Sequence, residues 1–272
     1  MDHVPPAHQH DAFDAHREHG ADHSVEPGRG TRAALLGLAL VAAALFLGLG
    51  VWQLERRAWK LALIERVDQR IHAPAGLLPP ARAWPAWVAQ DPSYSRVQVT
   101  GVLDHGRETL VQAVTERGPG FWVMTPLRMT QGTVLINRGF VPLDRSDPAT
   151  RLAGQLAGAV TIVGLVRLSE PGGGFLRAND QARDRWYSRD VAEIARARGL
   201  AGVAPFFIDA DATPNPGGYP SGGLTVVAFR NVHLVYALTW FALAGLAGAA
   251  AWRVRPAMPD PPERLPGSTQ AR

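Results

Sequence analysis

His233 opens an apolar run and, on a helix, shares one face with Tyr236, Trp240 and Ala244 at steps of three, four and four. A histidine at membrane depth is costly unless a partner or a ligand takes it up. Its imidazole could serve as an axial ligand to a haem iron, with the rings of Tyr236 and Trp240 as flat surfaces for a porphyrin. An interfacial histidine beside ordinary belt aromatics fits the same residues. An earlier apolar run has a matching edge at Trp52, Arg56 and Arg57. Trp52 suits the interface. Arg56 could pair with a carboxylate such as a haem propionate, or snorkel to anchor the helix end. With a single histidine of this kind, a bis-histidine site within one chain is not expected.

Other chemistry is sparse. The sequence has no G-x-S-x-G elbow, no phosphate-binding G-x-x-x-x-G-K-[ST] and no H-E-x-x-H. Gly48-Leu49-Gly50 lies inside an apolar run and has Gln53 where a dinucleotide fingerprint needs its third glycine. Asp104-His105 reads as a turn between strands, since neighbouring strand residues point to opposite faces. Gly172–Gly174 reads as a mobile loop. No cysteine is present, which removes disulfides, thiolate metal sites and cysteine nucleophiles. Six of the nine histidines fall in residues 1–32. Such imidazoles suit copper, nickel or zinc, but their irregular spacing gives only shifting coordination, and no metal site is assigned. The formal charge of +4 is too small to argue for nucleic acid. No catalytic residue is legible, and the chain is not expected to be an enzyme.

Two elements must position His233 and its neighbours. Ala33–Val51 and Leu234–Trp252 are each 19 residues long; the first has no polar side chain, the second only Tyr236 and Thr239. Such a run spans roughly 29 Å as a helix, about the hydrocarbon thickness of a bilayer. The mean hydropathy of −0.06 therefore averages very unlike parts. The first run is too long for a signal peptide and is followed by Trp52-Gln53-Leu54-Glu55-Arg56-Arg57 in place of a cleavage site. The acids before it argue against a mitochondrial transit peptide, so a bacterial protein that keeps its first span is expected. Ala44 with Gly48, and Ala244 with Gly248, are small-xxx-small pairs that would let the helices pack closely.

The expected organisation is a disordered histidine-rich tail over 1–32, a transmembrane helix over 33–54, an α+β domain over 55–232, a second transmembrane helix over 233–253 and a tail over 254–272. Leu54–Ile71 carries an apolar stripe that continues the first helix towards Pro74, and a Pro-rich link follows with Trp84 and Trp87. Strands are expected at Arg96–Leu103, Thr109–Val114, Phe121–Leu127, Thr133–Asn137, Val160–Leu168, Phe206–Ile208 and Leu224–Phe229. Ser188–Ala197 reads as a helix, with a capping box at Asp190 and Glu193 and Gly199 at its end. Residues 213–223 read as loop. The fold class is an α+β membrane protein, two transmembrane helices flanking a small, mostly antiparallel sheet or partial barrel with one or two helices. Arginines flank both sides of the first run, so charge alone leaves its orientation open, while the second run favours a cytoplasmic C-terminal tail.

Three motifs in order carry a resemblance. Gly50-Val51-Trp52-Gln53-Leu54-Glu55-Arg56-Arg57-Ala58-Trp59-Lys60 resembles the first-span signature of the Surfeit locus protein 1 family. Thr125-Pro126-Leu127 followed by Val134-Leu135-Ile136-Asn137-Arg138-Gly139-Phe140-Val141-Pro142 is similar to its central strand motif, with Phe140 where a tryptophan is usual. Asn231-Val232-His233-Leu234-Val235-Tyr236-Ala237-Leu238-Thr239-Trp240-Phe241 resembles its second-span signature. The likeness covers roughly residues 33 to 255. It implies a cytochrome c oxidase assembly factor of the bacterial inner membrane, with both termini cytoplasmic and the large domain periplasmic. It further implies that haem a is bound as transient cargo through His233 and presented to the catalytic subunit of a haem–copper oxidase, with haem a synthase as a second candidate partner. A scaffold that stabilises an oxidase intermediate without touching haem is the alternative. The cofactor-binding candidates are His233, Tyr236, Trp240, Trp52 and Arg56; Asn137 and Arg138 are structural or partner-binding candidates.

Overall fold

Apolar content in the first half of the long N-terminal helix, and a charged amphipathic stripe in its second half, make one element, α1, Arg29–His72. This computed structural model describes residues 28–174, 176–225 and 231–255. Helix α1 begins at Arg29, four residues inside the stretch expected as tail, and residues 1–27 of that tail lie outside the described residues. It stops before Pro74, which disfavours helical backbone at the residue ahead of it. Near its end Val67 is buried, and Arg70 Nη1 donates to the carbonyls of Asp91 and Ser93 at 2.9 and 3.0 Å. The last helix, α4, is His233–Val254, one residue longer than expected. The first 25 residues of α1 and the portion of α4 from Leu234 form one compact unit; Leu54–His233 forms the other.

The second unit is built on strands β1 Gly76–Leu77, β2 Arg96–Leu103, β3 Thr109–Thr115, β4 Gly118–Met129, β5 Gly132–Pro142, β6 Ala159–Leu168 and β7 Val203–Ala210, with short helices α2 Trp84–Val88 and α3 Val191–Ala197. The sheet runs β1-β2-β6-β7-β5-β4-β3, and β4 also pairs with β2 through Val102 with Arg128 and Leu103 with Leu127. That extra pairing closes a ring of five strands, with β3 and β1 appended outside it. Only β5 with β7 and β1 with β2 are parallel. The expected mostly antiparallel partial barrel is thus present.

Side-chain alternation divides the interior in two. Val97, Val99, Leu127, Val134, Ile136 and Phe206 face the barrel lumen, where Trp84 and Trp87 meet Phe206 edge-on at 5.8 and 5.3 Å. Leu135 and Phe207, the neighbours of those lumen residues, face the other way and pack with Met124, Trp186 and Ile194 beneath α3. Strands β5 and β7 are therefore buried on both sides.

Helix α3 starts at Val191 rather than Ser188, because Asp190 is its cap: its carboxylate accepts from Glu193 N–H at 3.0 Å. The reciprocal arm of the capping box is not made; Glu193 accepts from Asn179 Nδ2 at 2.7 Å instead. The helix ends with Leu200 N–H on Ala195 C=O and Gly199 N–H on Arg196 C=O, the paired bonds of a left-handed glycine cap. Within 213–223, Pro216–Gly218 makes a tight helical turn and Ser221 exchanges two 2.9 Å backbone bonds with Phe140. Leu224 and Thr225 are not in a strand, and the rest of the strand expected at Leu224–Phe229 lies outside the described residues.

Candidate functional site

His233 is the first residue of α4. At 100° per residue it shares its phase with Ala237, Trp240 and Ala244. Ala237 is fully buried, and the Trp240 ring stacks on Phe46 of α1 with centroids 5.7 Å apart and planes 22° from parallel. This is the face of α4 turned to α1. Tyr236, one turn before Trp240 on the same helix, has half its surface exposed. Trp52 is exposed to the same extent. The Arg56 guanidinium lies 4.2 Å over the Trp59 ring, one turn along its own helix.

The helix contact itself departs from the expected small-residue pairs. A Cβ placed on Gly48, Gly245 or Gly248 would meet nothing within 4 Å. A Cβ on Gly50 would lie 2.4 Å from Phe241 Cε1. The close approach is thus at Gly50 and Phe241, two residues past Gly48 on one helix and three residues before Ala244 on the other. Alanine-rich helices generate small-xxx-small spacings on every face, so spacing alone does not choose among them.

In the barrel, the consecutive residues Asn137 and Arg138 on β5 serve two separate networks, because adjacent strand residues point to opposite sides. Asn137 Nδ2 donates to Asp209 Oδ1 at 2.8 Å, and its own carbonyl accepts from Gly139 N–H. Asp209 is buried and also takes Arg167 and Arg189, each at 3.2 Å, and Thr225 Oγ1 at 2.9 Å. Arg189 is forked onto Glu170 through Nε and Nη2. Burial opposes its charge, but Glu170 and Asp209 outweigh that and raise its pKa. Here a buried carboxylate is compensated by two cations and two neutral donors, which a buried charge requires.

Arg138, also buried, donates to the Gly154 carbonyl and to Asn215 Oδ1, and stands 3.4 Å from His105 Nδ1. Burial pulls its guanidinium down to about 10, with Glu108 opposing and Arg151 adding to the effect. It stays charged at neutral pH. His105 Nε2 lies 3.1 Å from Leu156 C=O. Burial lowers the His105 pKa, partly offset by that carbonyl and reinforced by Arg138. The turn read from Asp104-His105 is present, and it also ties this turn to β5. Gly139, next in the strand, has φ +123°, and a Cβ there would sit 2.0 Å from Ser221 O, so only glycine lets the 213–223 segment lie against β5. The structure therefore gives Asn137, Arg138 and Gly139 positions that hold the barrel together. Among the described residues, no group of three or more His, Asp or Glu could hold a metal ion.

Among the described residues, two helices long and apolar enough to cross a membrane stand in chain order on either side of a small barrel-like sheet. The chain belongs to the SURF1 family, whose model matches residues 40–245. It is 38% identical over 215 residues to Surfeit locus protein 1 of Homo sapiens, covering 72% of this chain and 69% of that protein. The Mus musculus protein of the same name is 39% identical over 223 residues, covering 76% and 70%. A SURF1-like protein of Caenorhabditis elegans is 33% identical over 218 residues, covering 72% and 66%.

Proposed function

We propose that this chain is a cytochrome c oxidase assembly factor, held in a bacterial inner membrane by α1 and α4 with the barrel on the periplasmic side and both termini in the cytoplasm. The observation that carries the reading is the reach of the family match, which takes in most of the apolar part of α1, the whole barrel and the first half of α4. Haem a is its transient cargo, ligated by the His233 imidazole, and the catalytic subunit of a haem–copper oxidase receives it; haem a synthase is a further partner. A single protein ligand suits a carrier that must release what it holds. His233 shares a helix phase with Trp240 and Ala237, which supports a ligand directed to the inner side of α4. The porphyrin contacts of this reading are the half-exposed Tyr236 and Trp52, with Trp240, and its propionate partner is Arg56 once it leaves Trp59. Replacement of His233 by alanine, in cells that make haem a, is expected to abolish the haem absorption of the purified protein. Equal haem content in the two proteins would remove His233 from the site.

A second reading is favoured by one observation: Trp240 already stacks on Phe46 and Phe241 fills the space over Gly50, leaving that level of the helix pair packed by its own side chains. On that reading the protein is a scaffold for an oxidase intermediate and takes no haem. Wild-type protein purified colourless from cells making haem a, together with lost oxidase in a deletion strain, is its signature.

A further inference from the structure

The β3–β4 hairpin leaves one edge and one face open. Gln112 N–H donates away from β4, to Trp186 C=O at 2.8 Å. Backbone groups of an antiparallel strand alternate between its two edges, so Val114 turns its N–H and C=O to the same outer edge. Among the described residues no strand pairs there, since β3 ends the sheet. The Val114 side chain is 88% exposed. An unpaired edge of this kind is a template for another strand.

Beside it, Leu110, Gln112 and Val114 stand opposite Val123, Phe121 and Pro119 of β4. Two clefts of about 1000 and 410 Å³ adjoin over this hairpin and share Gln112, Phe121 and Tyr187. The carboxylates lining them are already neutralised: Glu108 by Arg151 and Asp184 by Arg198. The guanidiniums of Arg177 and Arg185 have no carboxylate within ion-pair distance among the described residues; Arg177 lies over the Tyr187 ring and donates to Gln112. The groove thus combines apolar patches at Leu110, Phe121 and Leu143, a strand edge left open at Val114 beyond the Trp186 contact, and an excess of positive charge.

We infer that this edge accepts an extended, acid-bearing segment of the client polypeptide as an added strand. Its backbone bonds at Val114, its apolar side chains cover Phe121 and Leu143, and its carboxylates meet Arg177 and Arg185. Main-chain bonds would supply affinity and the alternating side chains specificity. That the segment belongs to an oxidase subunit rests on the function proposed above; the chemistry of the groove does not.

The test uses the full chain in non-ionic detergent and a fluorescein-labelled hexapeptide of alternating Asp and Val, followed by anisotropy. Saturable binding that weakens with salt is expected. The double variant Arg177→Glu/Arg185→Glu should bind at least about tenfold more weakly and gain affinity for the matching Lys–Val peptide. Val114→Pro removes an N–H that β4 does not use, at an edge position that tolerates proline, and should weaken binding with the melting temperature kept. His233→Ala should bind the peptide as wild type does, which separates the groove from the haem reading. Absence of saturable binding, or equal affinity in wild type and the charge-reversed chain, would overturn the inference. So would a dimer that Val114→Pro dissolves, since the occupant would then be a second copy.

Discussion

Arg151 grips Glu108 at two points, Nη1 to Oε2 at 3.1 Å and Nη2 to Oε1, with side chains only 1% and 7% exposed. The pair ties the helical turn at Pro148–Gly154 to the start of β3. Removing one partner of such a pair strands the other charge away from water, at a cost of about 3–5 kcal/mol. Arg151→Ala and Glu108→Ala are each expected to lower the unfolding temperature markedly, and the double variant by less than the sum. Single variants that melt with the wild type would show the pair to be energetically idle.

The helix contact gives a position-specific expectation. Gly50→Val drives a branched side chain into Phe241, whereas Gly48→Val points into open space. Only the first should lower the thermal stability of the protein in detergent, by about 1–3 kcal/mol as overpacking does. Equal effects at the two positions would mean that the helices meet elsewhere.

Acid should loosen the barrel in two stages. The His105 pKa is depressed by burial, so its contribution is complete above the unfolded value of about 6.5 and is lost as pH falls through the lower folded value. Asp184 follows at lower pH: burial pushes its pKa up, but bonds from Arg198 and Trp186 win and hold it below 3.8. Stability against pH, measured by denaturant unfolding, should therefore fall as pH drops below neutrality. His105→Gln should flatten the upper stage alone. A wild-type curve level from pH 7 to about 5 would contradict this account.

A chain without cysteine allows orientation to be read directly. Leu152→Cys, at a position 64% exposed on the barrel, should react with a membrane-impermeant maleimide in cells whose outer membrane has been permeabilised. Ser268→Cys should react only after lysis. The reverse pattern would invert the proposed topology.

How far the sequence reaches depends on what each element buries. Strand β2 was legible to the residue, because one face is buried and the other is wet, giving clean alternation from Arg96 to Leu103. Strands β5 and β7 were read too short, at Thr133–Asn137 and Phe206–Ile208, because burial on both faces erases the alternation. Pro205 also interrupts the β7 pattern, although its side chain is exposed. Helix α2 was hidden in a run read as a link, since Pro85 at its first turn looks like a breaker and acts as a starter. Trp240 was legible as an aromatic on the His233 face, but the ring it stacks on, Phe46, lies 194 positions away in the chain. Asn137 and Asp209, 72 residues apart, are likewise joined only by the parallel pairing of β5 and β7. Local periodicity carries no information on such partners.

The order in which the strands are made has a consequence for the growing chain. Among the described strands β7 is the last to leave the ribosome, yet it lies between β6 and β5, which are complete some 35 and 60 residues earlier. Until Val203 emerges, both of those strands carry an unsatisfied edge, and a message cut short upstream of that codon yields a product that can only stick or be degraded. A quality-control protease therefore needs no special signal to tell an unfinished copy from a finished one.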